Sequence, residues 1–196
     1  MNRHKLEGTD LWSLEDYAHK RTAFREQVMA HKKNRSLQIG PHVRLLFEDR
    51  LTMQYQVQEM LRAERIFEAE GIQDELNVYN ALIPDGSNWK ATMLIEFDDV
   101  AERQKALTRL IGIENKTWMQ VAGHQPVYAI ADEDMERENA DKTSSVHFLR
   151  FELTPAMMKA FKAGIALNAG VSHENYHESA TPVPDALRKS LLADLN

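Results

Sequence analysis

From Glu48 to Glu70 the chain reads EDRLTMQYQVQEMLRAERIFEAE, with apolar residues on nearly every side of the helix it would form. Steps of three and four from Glu48 give Glu48, Thr52, Tyr55, Glu59, Arg62 and Ile66, a stripe that mixes ionisable and apolar groups. Met53, Val57, Met60, Leu61 and Phe67 take much of the opposite side. A helix apolar on both sides lies inside its domain, so the spacing predicts a long buried central helix over about 49–69. Charges on such a helix must be paired, hydrogen-bonded or functional, because an unpaired buried charge is strongly destabilising.

The rest of the chain alternates helical and extended signals. Ser13, with Asp16 three residues on, caps a helix running to about Lys33. Ser36 to Ile39 and His42 to Phe47 read as extended pieces around Gly40-Pro41. Gly71 offers the central helix a C-terminal cap, and Gln73 to Leu82 reads as a shorter helix ending before Pro84. Lys90 to Phe97 alternates as a half-buried strand, and Asp98 or Asp99 caps a helix from Val100 to Ile111. Trp118 to Val121 and Val127 to Ile130 form a hairpin, and Asp132 to Lys142 is a charged, mobile loop. In the strand from Ser145 to Leu153, His147, Leu149 and Phe151 share one face, while Phe148, Arg150 and Glu152 share the other. Thr154-Pro155 starts a helix reaching about Asn168. These signals predict an α+β fold, a largely antiparallel mixed sheet packed with helices. The expected domain spans 1–170, and 171–196 is a C-terminal tail with a short terminal helix from Asp185 to Leu195.

Composition narrows the chemistry. With 196 residues, 43% of them hydrophobic, the chain can bury one core without disulfides or a structural metal. It has no cysteine, which excludes disulfides, thiolate metal ligands and a cysteine nucleophile from this chain. A net charge of −6 argues against broad nucleic-acid binding. The one basic cluster, His31 to Arg35, falls where the first helix ends and cations complement its dipole. No apolar run is long enough to span a bilayer, and the first residues lack a signal-peptide core, so the expected setting is the cytoplasm, away from membranes. A homodimer is the commonest assembly for such a chain.

Two constellations can carry chemistry. If the stripe of the central helix meets the strand of residues 145–153, Tyr55, Glu59, Arg62, Arg150 and Glu152 line a polar pocket. Arg62 and Arg150 would hold a small anion there, and Glu59, Glu152 and His147 a metal. The bland alternative is an i, i+3 ion pair between Glu59 and Arg62. The second constellation is His173-Glu174-Asn175-Tyr176-His177, a match to H-E-x-x-H, in which His173 and His177 would bind zinc and Glu174 activate its water. That chemistry needs a helix and a third ligand, for which only Glu178 or Asp185 lies nearby. His42 and His124 are loop histidines that can serve as ligands, and Pro84 to Asn88 marks a turn.

The segments AHKKNR at Ala30 to Arg35, GPHVRLLFEDRLTMQYQVQEMLRAERIFE at Gly40 to Glu68 and YNALIPDGSNWKATMLIEF at Tyr79 to Phe97 carry a resemblance. With GHQPVYAIADED at Gly123 to Asp134 and VHFLRFELTPAM at Val146 to Met157, the chain resembles an uncharacterised bacterial domain family of unknown function. Such proteins are often encoded beside a rubrerythrin and an iron–sulfur oxidoreductase of the heterodisulfide-reductase type. The resemblance implies an accessory or ligand-binding protein in a redox or peroxide-defence pathway, with a rubrerythrin or iron–sulfur protein as partner. It assigns no cofactor and no catalytic residue. A zinc-dependent hydrolase built on residues 173–177 is the alternative expectation.

Overall fold

The computed structural model describes residues 5–131 and 142–196. Among the described residues, six α-helices and two antiparallel sheets make an α+β fold with no closed barrel. In chain order the elements are α1 (Leu14–Lys33), β1 (Ser36–Ile39), β2 (Val43–Phe47), α2 (Arg50–Glu64), α3 (Ala69–Asn80) and β3 (Asn88–Ile95). They continue with α4 (Val100–Arg109), β4 (Thr117–Val121), β5 (Val127–Tyr128), β6 (Ile130–Ala131) and β7 (Val146–Glu152). The chain closes with α5 (Pro155–Lys162), β8 (Leu167–His173), β9 (Tyr176–Ala180) and α6 (Asp185–Leu192).

The first sheet runs β1-β2-β3-β7-β6 and the second β5-β4-β8-β9. Their inner faces enclose one core. Leu45, Trp89, Met93 and Phe151 come from the first sheet, Met119, Val121, Leu167 and Ala169 from the second, and Phe161, Leu187 and Leu191 from α5 and α6. The expected hairpin is present, but its second arm is divided. Val127 and Tyr128 pair with β4, whereas Ile130 and Ala131 pair with β7, so the chain crosses from one sheet to the other at Ala129. The charged stretch from Asp132 to Asp141 lies outside the described residues.

Helices α1, α2 and α3 form a separate layer with its own small clusters. Tyr17, Phe24, Val28 and Tyr55 join α1 to α2, and Val57, Leu61 and Leu76 join α2 to α3. The helix expected over 49–69 therefore exists but is shorter. It stops at Glu64, because Arg65 turns left-handed at φ 56° and its amide bonds back to Leu61 O. That turn returns Ile66 to the α2–α3 cluster, and it leaves Phe67 73% exposed rather than packed. Gly71 lies inside the first turn of α3, with Ile66 against it, and caps nothing.

The C-terminal quarter also differs from expectation. Helix α5 ends at Lys162 because Gly164, at φ 94°, supplies the left-handed residue that follows a helix. Leu167 onward alternates inward and outward as a strand, so residues 171–196 are no tail. They finish β8, make β9 and α6, and place Val183, Leu187 and Leu191 in the core. No helix among the described residues is long and apolar enough to cross a membrane.

Candidate functional site

The residues of the central stripe do not converge with β7. Glu59 faces α1, where Arg21 Nε and Nη2 each donate to it at 2.7 Å and the Tyr17 hydroxyl donates at 2.5 Å. Those bonds hold the Glu59 carboxyl down from 4.5 to about 2, the Arg21 hydrogen bonds being the largest cause. Arg62 is exposed, and Tyr55 sits in the aromatic cluster with Phe24. Arg150 and Glu152 contact each other on the outward face of β7, where Asn88 Nδ2 also donates to Glu152. The expected pocket is therefore divided between two layers, with Glu59 paired to Arg21 in one and Arg150 to Glu152 in the other.

Arg62→Ala should shift stability by less than about 0.5 kcal/mol. Glu59→Gln should cost about 1–3 kcal/mol, because Tyr17 and Arg21 lose a charged acceptor. The effect of Glu59 should be full above pH 4.5 and fade as pH falls toward 2, the range over which the unfolded chain takes the proton first. Urea midpoints of both variants at pH 7 and pH 3 provide the check.

The H-E-x-x-H match is a β-hairpin, which overturns the zinc reading. His173 and Tyr176 are cross-strand partners facing the interior, while His177 pairs with Ser172 on the opposite face. Two side chains on opposite faces of a sheet cannot chelate one ion. Both ring nitrogens of His173 are also engaged: Nε2 donates to Ile111 O at 3.1 Å, and Nδ1 accepts from the Asn175 amide at 3.1 Å. His147 lies buried on β7, its Nε2 2.9 Å from Thr143 Oγ1 and 3.7 Å from Glu114 Oε2. Among the described residues no three His, Asp or Glu side chains gather closely enough to hold a metal ion.

What the hairpin does is build a different site. The Tyr176 hydroxyl accepts from the amides of His42 and Val43 at 3.1 and 3.2 Å and donates to Ile39 O at 2.5 Å, so it clamps the β1–β2 turn. His42, first in line after that turn, donates from Nδ1 to Glu96 O at 3.0 Å. Its ring stacks on Phe97 with centroids 3.8 Å apart and planes 14° from parallel. With Nδ1 donating, Nε2 is the acceptor nitrogen of the neutral ring.

Two concavities share this stack. One, of about 650 Å³, is bounded by Arg44, Glu96 and Arg103; the other, of about 390 Å³, by Lys105, Arg109, Asn175 and Tyr176. His42, Phe97 and Glu102 line both. Arg44 is committed to Glu96 at 2.9 Å, while α4 carries Arg103, Lys105 and Arg109. The sequence had marked His42 only as a loop histidine. Phe97 and the α4 cations carried no motif, because their meeting depends on how α4 lies across the end of β2 and β3.

A model of the family described as protein of unknown function, DUF3501, matches residues 5–195. The chain belongs to that family. None of the curated proteins matches it. Among solved structures it is similar to a novel protein of unknown function from Burkholderia pseudomallei K96243, with 49% identity and a TM-score of 0.93, covering 98% of this chain and 100% of that one. Membership in the DUF3501 family thus extends through β9 and α6, the elements that complete the groove and the core.

Proposed function

We infer that the chain is a cytoplasmic accessory protein that binds a small ligand in the groove beside His42 and Phe97. The observation that carries this reading is the stacked ring pair common to both concavities. The smaller concavity sets the ring stack beside Lys105 and Arg109 with Glu102 as its one acidic side chain, and so suits a small organic anion whose body lies on the rings and whose charge meets those two cations. The resemblance to proteins encoded beside a rubrerythrin and an iron–sulfur oxidoreductase supports placing it in a redox or peroxide-defence pathway, with one of those as partner.

The test is thermal stabilisation by a panel of cellular carboxylates and phosphates. A compound at a hundred times its dissociation constant should add about 2.7 kcal/mol to stability. His42→Ala and Arg109→Ala should each remove that gain with little change in the unliganded melting temperature. A gain retained in both variants would place the ligand elsewhere. For the partner, tagged protein expressed in its own host should retain a rubrerythrin or an iron–sulfur protein; capture of neither would count against the redox placement.

A further inference from the structure

The outer face of the second sheet bears an aromatic platform. One cross-strand row runs over all four strands: Tyr128, Trp118, Gly170 and Ser179. Gln120 and Asn168 pair on one side of that row, and Ser172 and His177 on the other. None of these positions holds Asp, Glu, Lys or Arg, in a chain that is 28% charged. The opposite face of the same strands, with Thr117, Met119, Val121, Ala169 and Val171, is buried.

Trp118 lies against the sheet. A Cβ at Gly170 would stand 2.4 Å from Trp118 Cζ2 and 2.7 Å from Cε2, so only glycine lets the indole rest on the backbone there. Nε1 of the indole donates to Ser172 Oγ at 2.9 Å, which fixes the ring in plane. Neighbouring side chains are likewise held. Gln120 Nε2 donates to His124 O at 2.8 Å, and Asn168 Nδ2 donates to Gln120 Oε1 at 3.3 Å. Tyr128 beside the indole is 48% exposed, and His177 and Ser179 are exposed as well. Around the ring this leaves the Ser172 hydroxyl hydrogen, the Asn168 carbonyl oxygen, the Ser179 hydroxyl and the His177 ring to meet a ligand.

We propose that this face is a binding site for a neutral saccharide, with one sugar ring stacked on Trp118 and its hydroxyls bonded by Asn168, Ser172, His177 and Ser179. A pyranose presents an apolar C–H face to an indole and a rim of hydroxyls that both donate and accept, the pattern this face offers. Its lack of formal charge matches a set of positions that holds no Asp, Glu, Lys or Arg. A nucleotide would need cations for its phosphate, and the face supplies none. The indole reaches from β4 over Gly170 of β8, so Asn168 and Ser172 stand on the strand beneath it and His177 and Ser179 on the next strand, about 5 Å further on, within reach of one ring's hydroxyls. The site is separate from the groove at His42.

The experiment is a nitrogen-15 correlation spectrum of the intact chain, in which its three tryptophans give three indole N–H signals. Glucose, N-acetylglucosamine, cellobiose, maltose and chitobiose are titrated, with adenosine monophosphate as the charged planar control. The expected result is a saturable shift of the Trp118 signal by at least one saccharide, with a dissociation constant on the order of 1 mM. The signal of Trp89, whose Nε1 is buried on Leu191 O, should stay still. Asn168→Ala and Ser179→Ala should each weaken the binding about tenfold while the rest of the spectrum remains that of the folded chain. Binding of disaccharides alone would assign the site to a glycan chain, and equal binding of monosaccharides to free sugar. If no saccharide moves the Trp118 signal, or if only adenosine monophosphate does, the proposal fails and Trp118 merely fills the gap above Gly170.

Discussion

Replacing Arg35 with methionine should destabilise the protein by about 3–5 kcal/mol, the cost of breaking a buried ion pair from one side. Arg35 is 2% exposed and joins four elements. Its Nε donates to Phe47 O and its Nη2 to Glu48 O, each at 3.0 Å, closing the end of β2. Nη2 also meets Asp194 Oδ2 at 2.6 Å, and Nη1 donates to Ser190 Oγ at 3.1 Å, which tethers α6 and the residues after it. Nε stands 3.4 Å from Asp49, the residue that caps α2 and lies 2.5 Å from His31 at the end of α1. Methionine fills similar space but leaves two carboxylates and three carbonyls, of Phe47, Glu48 and Ser190, without their common donor. A typical domain of this size has only about 5–15 kcal/mol in total, so the loss is a large share. Urea unfolding with an unchanged m-value would measure it; a loss below about 1 kcal/mol would mean that the node is not closed as described.

The same node sets a pH dependence. Burial raises the Asp194 carboxyl from 3.8 to about 6, outweighing the opposing pull of Arg35, and Asp49 adds to the rise. The folded chain thus holds this proton where the unfolded chain has released it. Stability from Asp194 is full below pH 3.8 and is lost as pH rises through 6, a change on the order of 2–3 kcal/mol. The wild-type slope between pH 4 and 6 should flatten in Asp194→Asn.

The second large effect is expected at Gly40. Its φ of +63° is left-handed, and a Cβ there would stand 2.6 Å from the Tyr176 hydroxyl. Gly40→Ala therefore adds about 1–2 kcal/mol of backbone strain and pushes away the hydroxyl that satisfies the His42 and Val43 amides. Each amide left without an acceptor adds about 1–3 kcal/mol, so a total of at least about 3 kcal/mol is expected. Tyr176→Phe loses the hydroxyl without the strain and should cost less. Because both changes act through one oxygen, the double variant should fall short of their sum by at least about 0.5 kcal/mol. Additive costs would separate the β1–β2 turn from the hairpin, and with it the support claimed for His42.

Much of this fold was legible in local chemistry. The Ser13, Asp99 and Thr154 caps start α1, α4 and α5 where their side chains indicated, and each accepts a hydrogen bond from the amide three residues on. The alternation in β7 gives its buried and outward faces. What failed was set by tertiary contact. Arg65 turns left-handed to return Ile66 to Leu61 and Leu76, which propensity does not foresee in a charged helical stretch. The segment 173–177 satisfies a helical motif in spacing alone, and pairing with the preceding strand decides its shape. Gly164 was a readable stop signal that the helical pattern beyond it obscured. For the site, charge pairing was anticipated for Glu59, but its partner came from α1 rather than from Arg62. The groove itself depends on elements far apart in sequence, β1–β2, α4 and β9, and no single segment carries its signature.

The His42–Phe97 groove is proposed to hold a small ligand in the cell. Native mass spectrometry of the protein purified from its own host, beside its His42→Ala variant, tests it most directly. A mass excess of a few hundred daltons on the wild-type chain, absent from the folded variant, is the expected result. A wild-type chain at its bare sequence mass, or an excess equally present on His42→Ala, would contradict the claim.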